Sequence, residues 1–216
     1  MNIQTQAFIA VTAQPIPYYA DTTAIFNTLC QPNSNSLLLD SAEIGSKNSL
    51  QSLILVNAAV KITCLCHNVT FKALNKNGKQ VLKEIHPKLT ALGKISAVNF
   101  EEEFSVQFSP LDNQLDEDSK LQSATIFDGL RVVSTFYQHS QTPIFLGGLF
   151  AYDLVANFIP MDGITLQNDG INCPDYSFYL AEHLITIDHQ NQQATLKSFC
   201  FAQEEQVNIA KTSLSI

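Results

Sequence analysis

The chain has 216 residues, 45% of them hydrophobic, and a formal net charge of -8. That length suits one large domain or two small ones, and the apolar content supports a packed core, which excludes a disordered chain. An acidic chain without a Lys/Arg cluster points away from nucleic acid and from anionic membrane surfaces, so neither is expected as a partner.

No basic segment precedes an apolar stretch at the N-terminus, and runs such as "SLILVNAAV" fall short of the roughly 18 residues that span a bilayer. Five cysteines, Cys30, Cys64, Cys66, Cys173 and Cys200, make an odd count. The expectation is reduced thiols and a cytoplasmic location.

In chain order, "AFIAVTA" at 7–13 is a predicted strand. "DTTAIFNTLC" follows as a short helix capped by Asp21 or Thr22, with Ala24, Ile25, Phe26 and Leu29 on its apolar side. "SLLLD" is a buried strand. "SLILVN", "VKITCLC" and "VTFKALN" are rich in β-branched residues and are expected to form an antiparallel meander. Asn77-Gly78 signals a turn. "KQVLKEIHPKLTAL" has helical period but carries Pro87, which predicts a kink or break near His86.

The tract from 99 to 122 is the most polar. It predicts a strand at "EFSVQF" and then a surface loop in which Asp116, Glu117 and Asp118 are solvated acids, since no other residue supplies metal-ligand spacing. "SATIFDGLRVVSTFYQ" predicts an amphipathic helix capped by Ser123, with Ile126, Leu130, Val133 and Tyr137 in one stripe. "PIFLGGLFAYDLV" reads as a long buried strand in which Gly147-Gly148 marks a bulge or a close backbone approach. "DYSFYLAEHLITIDHQ" and "QATLKSFCF" form a final hairpin turning near Gln190-Asn191, and a helix begins in "AQEEQVNIAKTSLSI". Antiparallel hairpins with separate helices make the class α+β, with mostly antiparallel sheets flanked by helices.

The chain carries no nucleophile motif, no HExxH and no phosphate-binding glycine loop, so no catalytic residue is assigned. Cys64-x-Cys66-His67 lacks a second ligand pair. Strand alternation would place the two thiols on one face and His67 on the other, which favours structural thiols over a metal site. His183 and His189 lie in or beside a predicted strand without a partner nucleophile or acid, and read as satisfied or surface histidines.

Three segments carry a family resemblance: "LLLDSAEIGSKNSLQSLILVNAAVKIT", "FLGGLFAYDLVANF" and "NCPDYSFYLAEHLITIDHQ". Together they resemble the N-terminal part of anthranilate synthase component I, from about residue 20 to about residue 205. The last two are shared by chorismate-using synthases, so the large chains of aminodeoxychorismate and isochorismate synthases are the neighbouring alternatives. A stand-alone amino-acid sensor is an alternative of another class.

The resemblance implies that residues 1–216 are a regulatory and scaffolding domain. The chorismate-binding half, with its Mg²⁺, lies outside the chain, and no cofactor or metal is expected within it. The complete subunit would convert chorismate and ammonia to anthranilate and pyruvate. A glutamine amidotransferase subunit, component II, would supply the ammonia. The resemblance further implies that Leu39, Asp40 and Ser41 form one wall of an allosteric L-tryptophan site, with Gln51 a further candidate. The family commonly has Glu where this chain has Asp40, and Lys where it has Gln51. The chemistry suits such a ligand: Asp40 offers a carboxylate to an ammonium, Ser41 both donates and accepts, and leucines give the indole an apolar surface.

Overall fold

Two long antiparallel strands form a spine, and the other strands extend the sheet outward from it. The computed structural model describes residues 9–31, 33, 35–40, 50–110, 116–138, 143–158 and 173–201. The strands are β1 (Ala10–Ile16), β2 (Leu37–Asp40), β3 (Gln51–Leu65), β4 (Asn68–Ala73), β5 (Lys94–Asn99), β6 (Glu103–Gln107), β7 (Leu146–Phe150), β8 (Tyr176–Asp188) and β9 (Gln193–Cys200). The helices are α1 (Thr22–Cys30), α2 (Lys76–Leu89), α3 (Glu117–Gln122) and α4 (Asp128–Phe136), with a 3-10 turn at Tyr152–Asn157. The nine strands make one sheet in the order β1-β9-β8-β3-β4-β6-β5, with β2 on β3 and β7 on β8. All described pairings are antiparallel, and the class is α+β.

β3 and β8 are the spine. β3 pairs with β2 through its first half and with β4 through its second, while β8 lies along its other side. The change of partner coincides with register shifts between Leu55 and Val60. "SLILVN" and "VKITCLC" are therefore one bulged strand and not two arms of a meander. A bulge lets a long strand bend without breaking its ladder, so β-branched content alone cannot place the turn.

The bulge also explains Asn77-Gly78, which opens α2 and forms no turn. Asn75 caps that helix by accepting the Gly78 N–H at 2.9 Å. A Cβ on Gly78 would lie 1.9 Å from the Ala59 carbonyl oxygen, so only glycine lets the helix sit on the bulged backbone. Pro87 lies inside α2 but only two residues from its end. It removes one late hydrogen bond, and buried Ile85 and Leu89 hold the turn in place.

The acidic tract after β6 is partly helical. Asp116 accepts the Ser119 N–H at 2.7 Å and starts α3. Ser123 ends α3 and does not cap α4. α4 starts later than predicted because the Asp128 carboxylate turns back to the Thr125 N–H at 2.6 Å. "PIFLGGLFAYDLV" gives a short strand and then the 3-10 turn, with Leu149 and Phe150 exposed. The close backbone approach is real at Gly148, where a Cβ would meet the Ser177 carbonyl oxygen at 2.1 Å. The final hairpin turns at residues 189–192, with Gln192 at positive φ. The helix expected in "AQEEQVNIAKTSLSI" lies outside the described residues.

The sheet has a core on each face. The larger packs Ile62, Cys64, Val69, Phe71, Phe104 and Val106 beneath α2 and α4. The smaller joins Ile54, Ile185, Ile187 and Ala194 to Ile25, Phe26 and Cys30 of α1.

Candidate functional site

Asp40 ends edge strand β2, opposite Ser52 of β3. Cross-strand partners share a face, so Asp40, Ser52 and Ile187 lie on the α1 side of the sheet. Leu39 and Gln51, one residue out of phase, lie on the opposite face, and both are exposed. The end of β2 thus offers a carboxylate on one side and an apolar side chain, 41% exposed, on the other. Ser41 lies outside the described residues.

The Asp40 carboxylate is itself exposed, yet it is held from within. Among the described residues the buried polar side chains are Thr22 and Ser52, and both point at it. Thr22 Oγ1 donates to Oδ2 at 3.3 Å, and Ser52 Oγ donates to Oδ1. Ser52 Oγ also lies 2.8 Å from His189 Nε2, and His189 Nδ1 lies 3.2 Å from the Tyr18 hydroxyl. Tyr18 meets the His189 ring edge to face at 5.9 Å. Four elements supply this row: the chain entering α1, the ends of β2 and β3, and the β8–β9 turn.

The sequence singles out Asp40 but passes over Thr22, Ser52 and Tyr18 as its surroundings. A usable signal exists: Ser52 opens "SLILV" in phase with Ile54, a buried core residue on the same face. His189 is a hydrogen-bonded histidine, as its sequence context suggests. His183 lies 3.4 Å from Asn57 Nδ2 and 3.8 Å from Glu182, away from this row.

The cysteine-rich turn does not follow strand alternation. Cys66 leaves the strand at φ 54, and its N–H donates to Asp175 at 2.6 Å. Cys64 is buried, and desolvation, reinforced by nearby Asp175, pushes its thiol up to about 12. It therefore stays protonated and packs as an apolar group. Among the described residues no three His, Cys, Asp or Glu side chains converge to hold a metal ion.

No family model matches the chain. Similarity to individual proteins is extensive. The chain is 95% identical over all 216 residues to anthranilate synthase component 1 of Haemophilus influenzae. It is 45% identical over 204 residues, 93% of the chain, to anthranilate synthase component 1 of Vibrio cholerae. The figure for Escherichia coli is 38% over 195 residues, 88% of the chain. The chain matches the N-terminal part of anthranilate synthase component 1. It spans 42%, 38% and 36% of these relatives' own lengths.

The three relatives share one name, which favours the component 1 resemblance over the aminodeoxychorismate and isochorismate alternatives. Among the described residues no helix is long and apolar enough to cross a membrane.

Proposed function

We propose that this chain is the regulatory and scaffolding part of an anthranilate synthase component 1, and that the end of β2 is one wall of its L-tryptophan effector site. The near-identity to component 1 across the whole chain carries this reading. In support, Asp40 presents an exposed carboxylate fixed by two buried hydroxyls, with no salt bridge among the described residues. Such a group suits an ammonium that arrives with a ligand. Leu39 adds accessible apolar surface on the other face of the same strand end, beside Gln51, so a ligand held by Asp40 meets them only by reaching around the end of β2. Ser41 is the remaining residue proposed for the site.

Chorismate binding, Mg²⁺ and the conversion to anthranilate and pyruvate belong to the remainder of component 1. Ammonia comes from the glutamine amidotransferase partner, component II. The residues described here offer no constellation that fits the metal, so none of the chemistry is assigned to them. The test uses a component 1 that contains this segment. Asp40→Ala and Ser41→Phe are expected to relax inhibition by tryptophan while anthranilate formation without tryptophan continues. Variants as tryptophan-sensitive as the parent overturn the assignment. The 216-residue chain alone is expected to form no anthranilate from chorismate and ammonia.

A further inference from the structure

An exposed carboxylate at the end of an edge strand ordinarily samples several rotamers. Asp40 instead receives both of the buried polar side chains found among the described residues, Thr22 and Ser52. The decisive partner is Ser52, which has one proton and two neighbours able to take it. If that proton went to His189 Nε2, the Asp40 oxygen would lose its buried donor. A carboxylate is the stronger acceptor, so the proton goes to Asp40. His189 must then carry its own proton on Nε2 and donate it to the Ser52 oxygen across 2.8 Å. Tyr18, 3.2 Å from Nδ1, donates there when the ring is neutral and locks the same tautomer.

We infer that Ser52 and His189 are positioning residues for the effector site, which hold the Asp40 carboxylate in the one orientation that an amino-acid ammonium meets. This rests on the reading of Asp40 as an effector residue. The row gives a fixed direction of donation, from Tyr18 and His189 through Ser52 to Asp40, with the carboxylate at its solvent end. A ligand then finds the carboxylate already ordered and loses less freedom on binding. Ser52 has 0% exposure and cannot touch a ligand from this position, so its effect on affinity must pass through Asp40.

The experiment measures the tryptophan inhibition constant and the chorismate KM in a component 1 carrying this segment. Ser52→Ala and His189→Leu should raise the ratio of inhibition constant to KM by about tenfold or more, the scale of one charge-assisted hydrogen bond. His189→Gln keeps an N–H near the place of Nε2 and should stay within about threefold of the parent. A general loss of packing at this position would not distinguish Leu from Gln in that direction. Asp40→Ala separates the two levels of the argument. If it relaxes inhibition while Ser52→Ala and His189→Leu do not, the positioning role falls and the effector reading stands. If Asp40→Ala leaves inhibition unchanged, the effector reading falls and takes the positioning role with it. One measurement needs no variant: nitrogen-15 histidine spectra of the same protein at pH 8 should show the His189 proton on Nε2, and a proton on Nδ1 overturns the inference.

Discussion

At the scale of single residues, burial and hydrogen bonding set two behaviours that can be measured. Glu84 of α2 sits against α4, where it accepts from Tyr137 Oη at 2.9 Å and Gln80 Nε2 at 2.9 Å. Desolvation dominates over these two bonds and raises its carboxyl above the usual 4.5. The folded state therefore holds this proton more tightly than the unfolded state. Its contribution is fully present below the unfolded value and is lost as pH rises through the folded one. Glu84→Gln removes that loss, so its melting temperature relative to the parent should climb as pH goes from 4.5 to neutral. Asp116 and Asp188 are shifted down by backbone N–H groups, so their contributions fade at lower pH and do not mask this window. A constant offset between parent and Glu84→Gln would refute the assignment.

The thiols give the second test. Cys66, Cys173 and Cys200 are exposed, and Cys30 and Cys64 are buried. Native alkylation followed by mass spectrometry should label the exposed three. Cys200 should be slowest among them, because partial burial and Glu182 raise its thiol. Denaturant should release the remaining two. At this scale the sequence made Asp40 legible, because an acid ending an apolar run is visible. It left the Ser52–His189 contact hidden, since the two residues are 137 positions apart and only strand register brings them together.

At the scale of elements, close backbone approach decides which substitutions the fold tolerates. Gly148 faces the Ser177 carbonyl and Phe178 Cα, which cannot move without breaking β7 from β8. Gly147 faces the Phe145 ring and the Leu37 side chain, which can shift. Gly148→Ala should therefore lose at least about 1–3 kcal/mol in urea unfolding, the usual scale of overpacking, and Gly147→Ala should lose less. Equal losses at the two positions would show that neighbouring backbone is not the limiting contact. The α+β class, α1 with its Asp21 cap, β6 and the final hairpin were readable, because each has a local signal in its own period or cap. The single strand β3 was not, because its continuity depends on pairing with β8 across the bulge. Nor was the start of α4: Ser123 has the right chemistry for a cap, but Asp128 bends back and claims the preceding N–H.

At the scale of the whole molecule, exposed apolar side chains at β7 decide how the isolated chain behaves in solution. Leu149, Phe150 and Tyr152 are 58%, 52% and 91% exposed beside β7, which pairs only with β8 among the described residues. Exposed apolar side chains on an open strand edge favour association. Sedimentation of the isolated chain should show species larger than a monomer as concentration rises, and a monomer at every concentration would refute this. The proposed effector wall at the end of β2 carries a prediction for the same chain. Full burial of an indole removes roughly 150–250 Å² from water, about 4–6 kcal/mol at about 25 cal/mol/Å². One wall covers about half of that, and a charge-assisted bond to Asp40 adds about 1.5–3 kcal/mol. Association costs at least about 4 kcal/mol, which leaves about 2 kcal/mol or less. A millimolar complex needs about 4 kcal/mol, so the isolated chain should bind tryptophan more weakly than millimolar. The chain contains no Trp of its own, so the fluorescence of added tryptophan reports binding directly. Micromolar affinity would mean that the described surface already encloses the ligand, and the one-wall assignment would have to be abandoned.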